Sequence, residues 1–375
     1  MQRDTWINVA ETGGIQAAFD ALPEQGGTVY VPTGTWQIDQ TIEVDLAEGQ
    51  HLFLVGDGRS SVIVNTSTSG DPLMHLVGVE DSWWPDLKIT IRDLTFVGNH
   101  QSGDALAMEW PNDAMVDACF FIGHGGTAVN CMRNSSNVTV RDCWMRDCKR
   151  ALAAENLHHL TMHGCQTRSL KDGQVQAEHV YINWNCREVR IVGNHFAYGH
   201  AEGIILDGTA QQVISGNTLE GFTTQIRAVD TRDMVIADNY LHGGKSVHLS
   251  GECNGFSITG NTMINATEGG VVIEDARGSG GHVIANNVIR KSVYKDIDYI
   301  KDKRMAGIRL GDAGNCVVNA NVIEDVTEPV AISAGPGGGG HIISGNRVVR
   351  QAGEALSLSD CETDCEVYGN LTDDH

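Results

Sequence analysis

Basic residues and prolines are scarce in this chain, and long apolar runs are missing. Against 48 Asp and Glu stand 26 Lys and Arg, a formal charge of −22 over 375 residues. That field repels polyanions at long range, which excludes nucleic acid as a partner. Acidic polysaccharides are disfavoured unless a local basic groove overcomes the field, and neutral glycans meet no such penalty. No apolar stretch approaches the roughly 18 residues of a membrane helix, so no membrane contact is expected. The opening MQRDTWINVAETGG lacks the apolar core of a secretion signal. The expected location is the cytoplasm, or outside the cell with the leader not part of this sequence. Only 7 prolines accompany 44 glycines, a balance that suits many tight turns rather than disorder.

Of the ten cysteines, Cys119, Cys143 and Cys165 recur at one repeat position among apolar neighbours, where buried thiols fill space. Cys361 and Cys365 have no second such pair to complete a ligand set, so no metal site is expected.

A repeat organises the chain. IVGNHF, VISGNTL, IADNYL and SITGNTM bring an Asn after a short apolar strand at Asn194, Asn217, Asn239 and Asn261, in steps of 23, 22 and 22 residues. The marker position runs from Leu94 through Cys119, Cys143 and Cys165 to those Asn residues, then Asn287, Asn321, Asn346 and Asn370. Steps of this size fit three short strands plus turns, one coil of a parallel β-helix. Neighbouring coils lie about 4.8 Å apart, so like Asn side chains can hydrogen-bond in a ladder. The fold expected is all-β, a right-handed parallel β-helix of about 12 coils. Residues 1–40 form a cap, with a short helix in IQAAFDAL stopped by Pro23, and 41–375 form one β-helix domain. Two steps are longer, and their insertions at 167–178 and 291–305 fall on one side of the stack, as walls of a binding face.

Aligning the second strand of each coil gives an outward row of Ala107, Asn130, Ala153, Tyr181, Ile205, Arg227, His248, Val272, Arg309 and Ser357. Beside it cluster Glu109, Glu155, Asn183, Asp207 and Glu274, with Asp230 and Asp275 one place later and Trp110 and Trp184 at the edge. Such a face is either a solvated ion-pair ladder or a catalytic floor. Flanking long loops favour the second for the cluster as a whole. Asp207 and Asp230, on adjacent coils, are the expected acid/base or nucleophile, with carboxyls roughly 5–7 Å apart. Glu155 or Glu274 is the supporting carboxylate. Arg227, His248, Tyr181, Asn183, Lys245 and Arg309 orient substrate, and Trp184 and Trp110 stack sugar rings. His200 and Glu202 overhang the floor from the preceding loop, whereas His124, His158 and His159 read as structural or surface residues.

This pattern favours a carbohydrate-active enzyme that cleaves glycosidic bonds of an oligo- or polysaccharide by carboxylate catalysis. The alternative is a lyase eliminating across a uronate. His248, Lys245, Arg227, Tyr181 and Arg309 would then supply the base and the positive clamp on the carboxylate, and the surrounding acids count against this reading unless they bind Ca²⁺. No cofactor is expected otherwise. A third class is a glycan-binding or tailspike-like protein without catalysis.

The cap GGIQAAFDAL…GGTVYVPTGTW and the xxGNxx coils resemble the pectate-lyase-like superfamily of parallel β-helix proteins. GGKSVHLSG, GGVVIED and AGIRLGD are similar to coils of the inulin fructotransferase and difructose-anhydride hydrolase family over roughly residues 185–325. That resemblance implies a fructan-type substrate, an acidic catalytic pair and a homotrimer, where the chain alone would suit a monomer. The family's Asp and Glu align with Gly193 and Ile205, neither of which ionises. The acidic motifs of pectin polygalacturonases and the DPHE motif of alginate epimerases are missing.

Overall fold

The computed structural model describes residues 5–80, 86–169, 177–199, 201–276, 278–291, 307–326, 330–349, 354–358 and 365–372. Two compact units divide at His195 and Phe196. Each is a parallel β-solenoid in which successive coils contribute one strand to each of three sheets. About 14 turns are present in the chain.

In the N-terminal unit Trp6–Asn8 pairs with Gly26–Val31, which in turn pairs with His51–Gly56. Gly34–Ile38 pairs with Ser61–Asn65. Coil stacking therefore starts within the segment read as a cap, one reason that the turns exceed the 12 expected. Ile15–Asp20 is the expected helix, with Ile15, Ala18 and Phe19 buried. A second helix, Val9–Thr12, precedes it, capped by the Asn8 side chain, which accepts from Ala10 N at 3.0 Å. Four residues carry too little periodicity to announce a helix.

In both units the Cys and Asn members of the marker row are hydrogen-bonded, and all but the half-buried Asn370 are buried. In the C-terminal unit Asn217, Asn239, Asn261, Asn287, Asn321, Asn346 and Asn370 form an unbroken amide ladder. Asn261 shows the unit step. Its Oδ1 accepts from Asn239 N at 3.0 Å and Asn239 Nδ2 at 2.9 Å. Its Nδ2 donates to Ile236 O at 2.9 Å and Asn287 Oδ1 at 3.0 Å. Each amide thus satisfies turn backbone that the sheets leave unpaired, as buried polar groups require. In the N-terminal unit Cys119, Cys143 and Cys165 hold the same row. They are buried, and each thiol points at backbone carbonyls, as Cys143 does at Arg141 O.

Two histidines also face inward in the C-terminal unit. His282 and His341 are fully buried, and their Nδ1 atoms accept from Phe256 N and Cys316 N at 3.3 and 3.2 Å. Accepting a hydrogen bond requires the neutral ring, and burial pushes the pKa of His282 down to about 4.

Two outcomes follow from these buried groups. Asn261→Ala orphans the buried Asn239 N–H and Ile236 carbonyl, at about 1–3 kcal/mol each. Urea unfolding of the C-terminal unit should therefore show a loss of at least about 2 kcal/mol, and a loss below about 0.5 kcal/mol would contradict the ladder's role. For His282, the unfolded ring takes up a proton below about pH 6.5 while the folded ring does not until about pH 4. Its stabilisation is therefore complete above that range and lost as pH falls through it. The acid-induced drop in unfolding free energy should be smaller in His282→Asn than in wild type, and an equal drop would contradict the assignment.

Candidate functional site

The sheet of second strands carries the residues singled out from sequence. In the C-terminal unit its strands include Glu202–Asp207, Thr224–Val229, Lys245–Ser250, Gly269–Glu274 and Ile308–Arg309. Each of the first four begins with two consecutive buried residues after its opening position, Gly203–Ile204, Gln225–Ile226, Ser246–Val247 and Gly270–Val271. The alternation resumes after this doubling. Opening positions such as Glu202 and Lys245 therefore share the outward face with Arg227 and His248. Ile205, Arg227, His248, Val272 and Arg309 are in register from coil to coil, and the row continues to Ser333 and Ser357. Val330–Ser333 is a coil that the strand alignment omitted.

Charges meet across this row. Arg227 Nη1 lies 3.1 Å from Glu202 Oε1. Lys245 Nζ donates to Glu274 Oε2 at 3.0 Å, and His248 Nε2 lies 3.2 Å from the same oxygen. The His248–Glu274 approach is close but poorly aligned, for Nε2 is buried and makes no directed hydrogen bond. Arg309 Nη2 donates to the Glu268 carbonyl. Burial first, then the charges of Lys245 and Arg227, lowers the pKa of His248 and outweighs the pull of Glu274. Burial alone would raise Glu274, but the hydrogen bond and charge of Lys245, with His248 and Arg309 nearby, hold it below the usual carboxylate range. A neutral imidazole thus shares this face with three cations and two carboxylates, Glu202 and Glu274. Val272 in the same row is fully buried and rests on Gly269, where a Cβ would come within 2.2 Å of Val272 Cγ2.

Asp207 and Asp230 do not face each other. Asp207 is in register with Val229, and that row continues to Ser250 and Glu274. Asp230 lies one residue beyond, in the left-handed region at φ 48°. Its Oδ1 accepts from Glu252 N at 2.9 Å and abuts Gly251, whose Cβ, if present, would lie 2.2 Å away. Asp142 beside Gly164 and Asp238 beside Gly260 repeat this contact, which marks a turn device of the coil.

In the N-terminal unit Ala107, Asn130, Ala153 and Tyr181 keep the expected register, and Glu155 lies beside Asn183. Arg150 lies 5.1 Å from the Tyr181 ring and pairs with Glu178. Asn183 Oδ1 accepts from Trp184 N at 2.7 Å, and Trp184 is 59% exposed. Arg133 lies 5.6 Å over Trp110 and 3.4 Å from Glu109. Sequence reasoning missed His75 in this sheet, with Nδ1 2.8 Å from Glu43 and Nε2 3.6 Å from Glu109. Its strand, Met74–Val77, precedes the first marker residue and so carried no repeat signal. His200, Cys361, residues 170–176 of the first insertion and 292–305 of the second lie outside the described residues. Among the described residues, no three His, Cys, Asp or Glu side chains converge as metal ligands.

Lys245→Met removes the main charge that depresses both partners. The pKa values of His248 and Glu274 should both rise, read by NMR titration of the imidazole and carboxyl signals. An unmoved His248 would contradict the electrostatic account.

With this geometry in hand, comparisons place the fold. The model of the family "Periplasmic copper-binding protein (NosD)" matches residues 164–298. Comparison with curated protein sequences gives no match. Among solved structures, the A-module of mannuronan C-5 epimerase AlgE6 from Azotobacter vinelandii is similar at a TM-score of 0.58 and 16% identity, over 98% of this chain and 100% of that one. Tailspike protein 3 of bacteriophage CBA120 gives a TM-score of 0.71 at 14% identity, over 96% of this chain but only 61% of the tailspike. DFA-IIIase from Arthrobacter chlorophenolicus A6 gives 0.51 at 14% identity, over 97% of this chain and 98% of that one. At such identities the likeness concerns the fold alone, a parallel β-helix.

Proposed function

We propose that the chain is a carbohydrate-active enzyme whose C-terminal unit abstracts the proton at C5 of a uronate sugar, leading to β-elimination. One observation carries this reading: neutral His248 stands in a row with Arg227 and Arg309 and beside Lys245, three cations in a chain dominated by acids. The unprotonated ring nitrogen of His248 takes the C5 proton while the C4–O bond breaks. The C4=C5 double bond forms, the departing oxygen takes a proton from water, and the imidazolium returns its proton to solvent. Arg227, Lys245 and Arg309 offset the charge that builds on the sugar carboxylate.

Hydrolysis by paired carboxylates requires a protonated acid beside an ionised one. Glu274 is held ionised by its cations, and the Asp230 oxygen is engaged in its turn. These facts support elimination over hydrolysis.

The test is a panel of uronate polymers, with ultraviolet absorbance of the unsaturated end and reducing ends measured together. Both should rise in step, and His248→Gln should lower kcat by about 10²–10⁴-fold. The acid limb of the rate profile should fall below the ordinary histidine range, in keeping with the depressed His248. Reducing ends without absorbance would mean hydrolysis, and binding without either product would mean a non-catalytic protein.

A further inference from the structure

The sheet of third strands in the N-terminal unit bears a cleft that the proposed chemistry does not use. It encloses about 310 Å³ and is lined by Arg59, Thr95, Phe120, Ile122, Trp144 and Arg146. Register builds it: Thr95, Phe120 and Trp144 follow one another on adjacent coils, as do Val97, Ile122 and Arg146. Phe120 and Trp144 meet at 5.6 Å with their planes inclined by 63°, so that two half-buried rings form a corner. Arg59 enters from the turn Gly58–Ser60, with its guanidinium 3.8 Å from the centre of Phe120 and 5.1 Å from that of Trp144. Thr95 Oγ1 donates to the Arg59 carbonyl at 3.3 Å, which ties that turn to the cleft floor. Arg146 is anchored through Nε to the nearly buried Asp147 carboxylate at 3.1 Å.

Arg59 is unusual here. The chain holds 48 acidic residues, yet Arg59 makes no ion pair among the described residues. Its planar group lies on aromatic rings instead, oriented but with donors available to a planar acceptor. Half-buried rings at a concave edge suit the C–H face of a sugar, and an available guanidinium suits a carboxylate in bidentate fashion. We propose that this cleft is a second glycan site, separate from the row at His248, which holds a carboxylate-bearing sugar unit between Trp144 and Arg59. A neutral sugar would leave Arg59 without a partner, so charge complementarity selects the acidic one. The site does not depend on the reaction assigned to the other sheet. It would tether an anionic polymer despite the repulsive net charge.

Isothermal titration and tryptophan fluorescence on the whole chain test this, with short oligogalacturonate and oligomannuronate as probes and a cello-oligosaccharide as the neutral control. At least one uronate should bind, and the control should bind at least about tenfold more weakly. Arg59→Gln and Trp144→Ala should each weaken uronate binding about tenfold or more, and Arg59→Lys should recover part of it. Turnover of a short substrate should stay unchanged in these variants. His248→Gln should lose turnover and keep this binding, which separates the two sites. Failure of every uronate to bind, equal binding of the neutral sugar, or unchanged affinity in Arg59→Gln would each overturn the proposal. Arg59→Gln changes an exposed side chain, so it decides the matter if Trp144→Ala fails to fold.

Discussion

Parallel hydrogen bonding between successive coils is the constraint on which everything else depends. Each strand must pair with the equivalent strand of the next coil, so a residue finds itself beside the one a full repeat later. This turns a linear step of about 22 residues into contact at one strand spacing. Sheets alone leave turn backbone unpaired, and the Asn row supplies those partners. A coil cannot slip by one residue without moving its apolar set outward and breaking its amide link.

The same constraint explains what could be read from the sequence. The marker row was visible because the ladder needs one side-chain type at one position, and the structure finds it from Asn217 to Asn370. The outward row was visible too, since pleating repeats in every coil. Features that break the repeat stayed hidden. Glu202, expected to overhang from the preceding loop, opens a strand instead, and the doubled inward residues that put it on the outer face are not shown by simple alternation. Asp230 resembles an active-site acid in sequence, but its left-handed backbone turns it toward the neighbouring coil. Early coils such as that of Met74–Val77 lack the Asn marker. The chain therefore has about 14 turns where 12 were expected.

Charge on the outer face is organised by these alignments. Arg227 and His248 become neighbours because they hold the same coil position, while Lys245 reaches Glu274 on the following coil. Burial first, then Lys245 and Arg227, lowers the pKa of His248, and Lys245 holds Glu274 below the usual carboxylate range. A solenoid can present separate rows on separate sheets, and the Arg59–Trp144 cleft uses a different sheet from the His248 row.

The central claim is that the C-terminal unit removes a proton from carbon. The fate of deuterium placed at C5 of a uronate oligosaccharide tests it most directly, followed by mass spectrometry of the cleaved products. Loss of the label from the new non-reducing end, abolished in His248→Gln, is the result expected. Cleavage with the label retained would contradict the account.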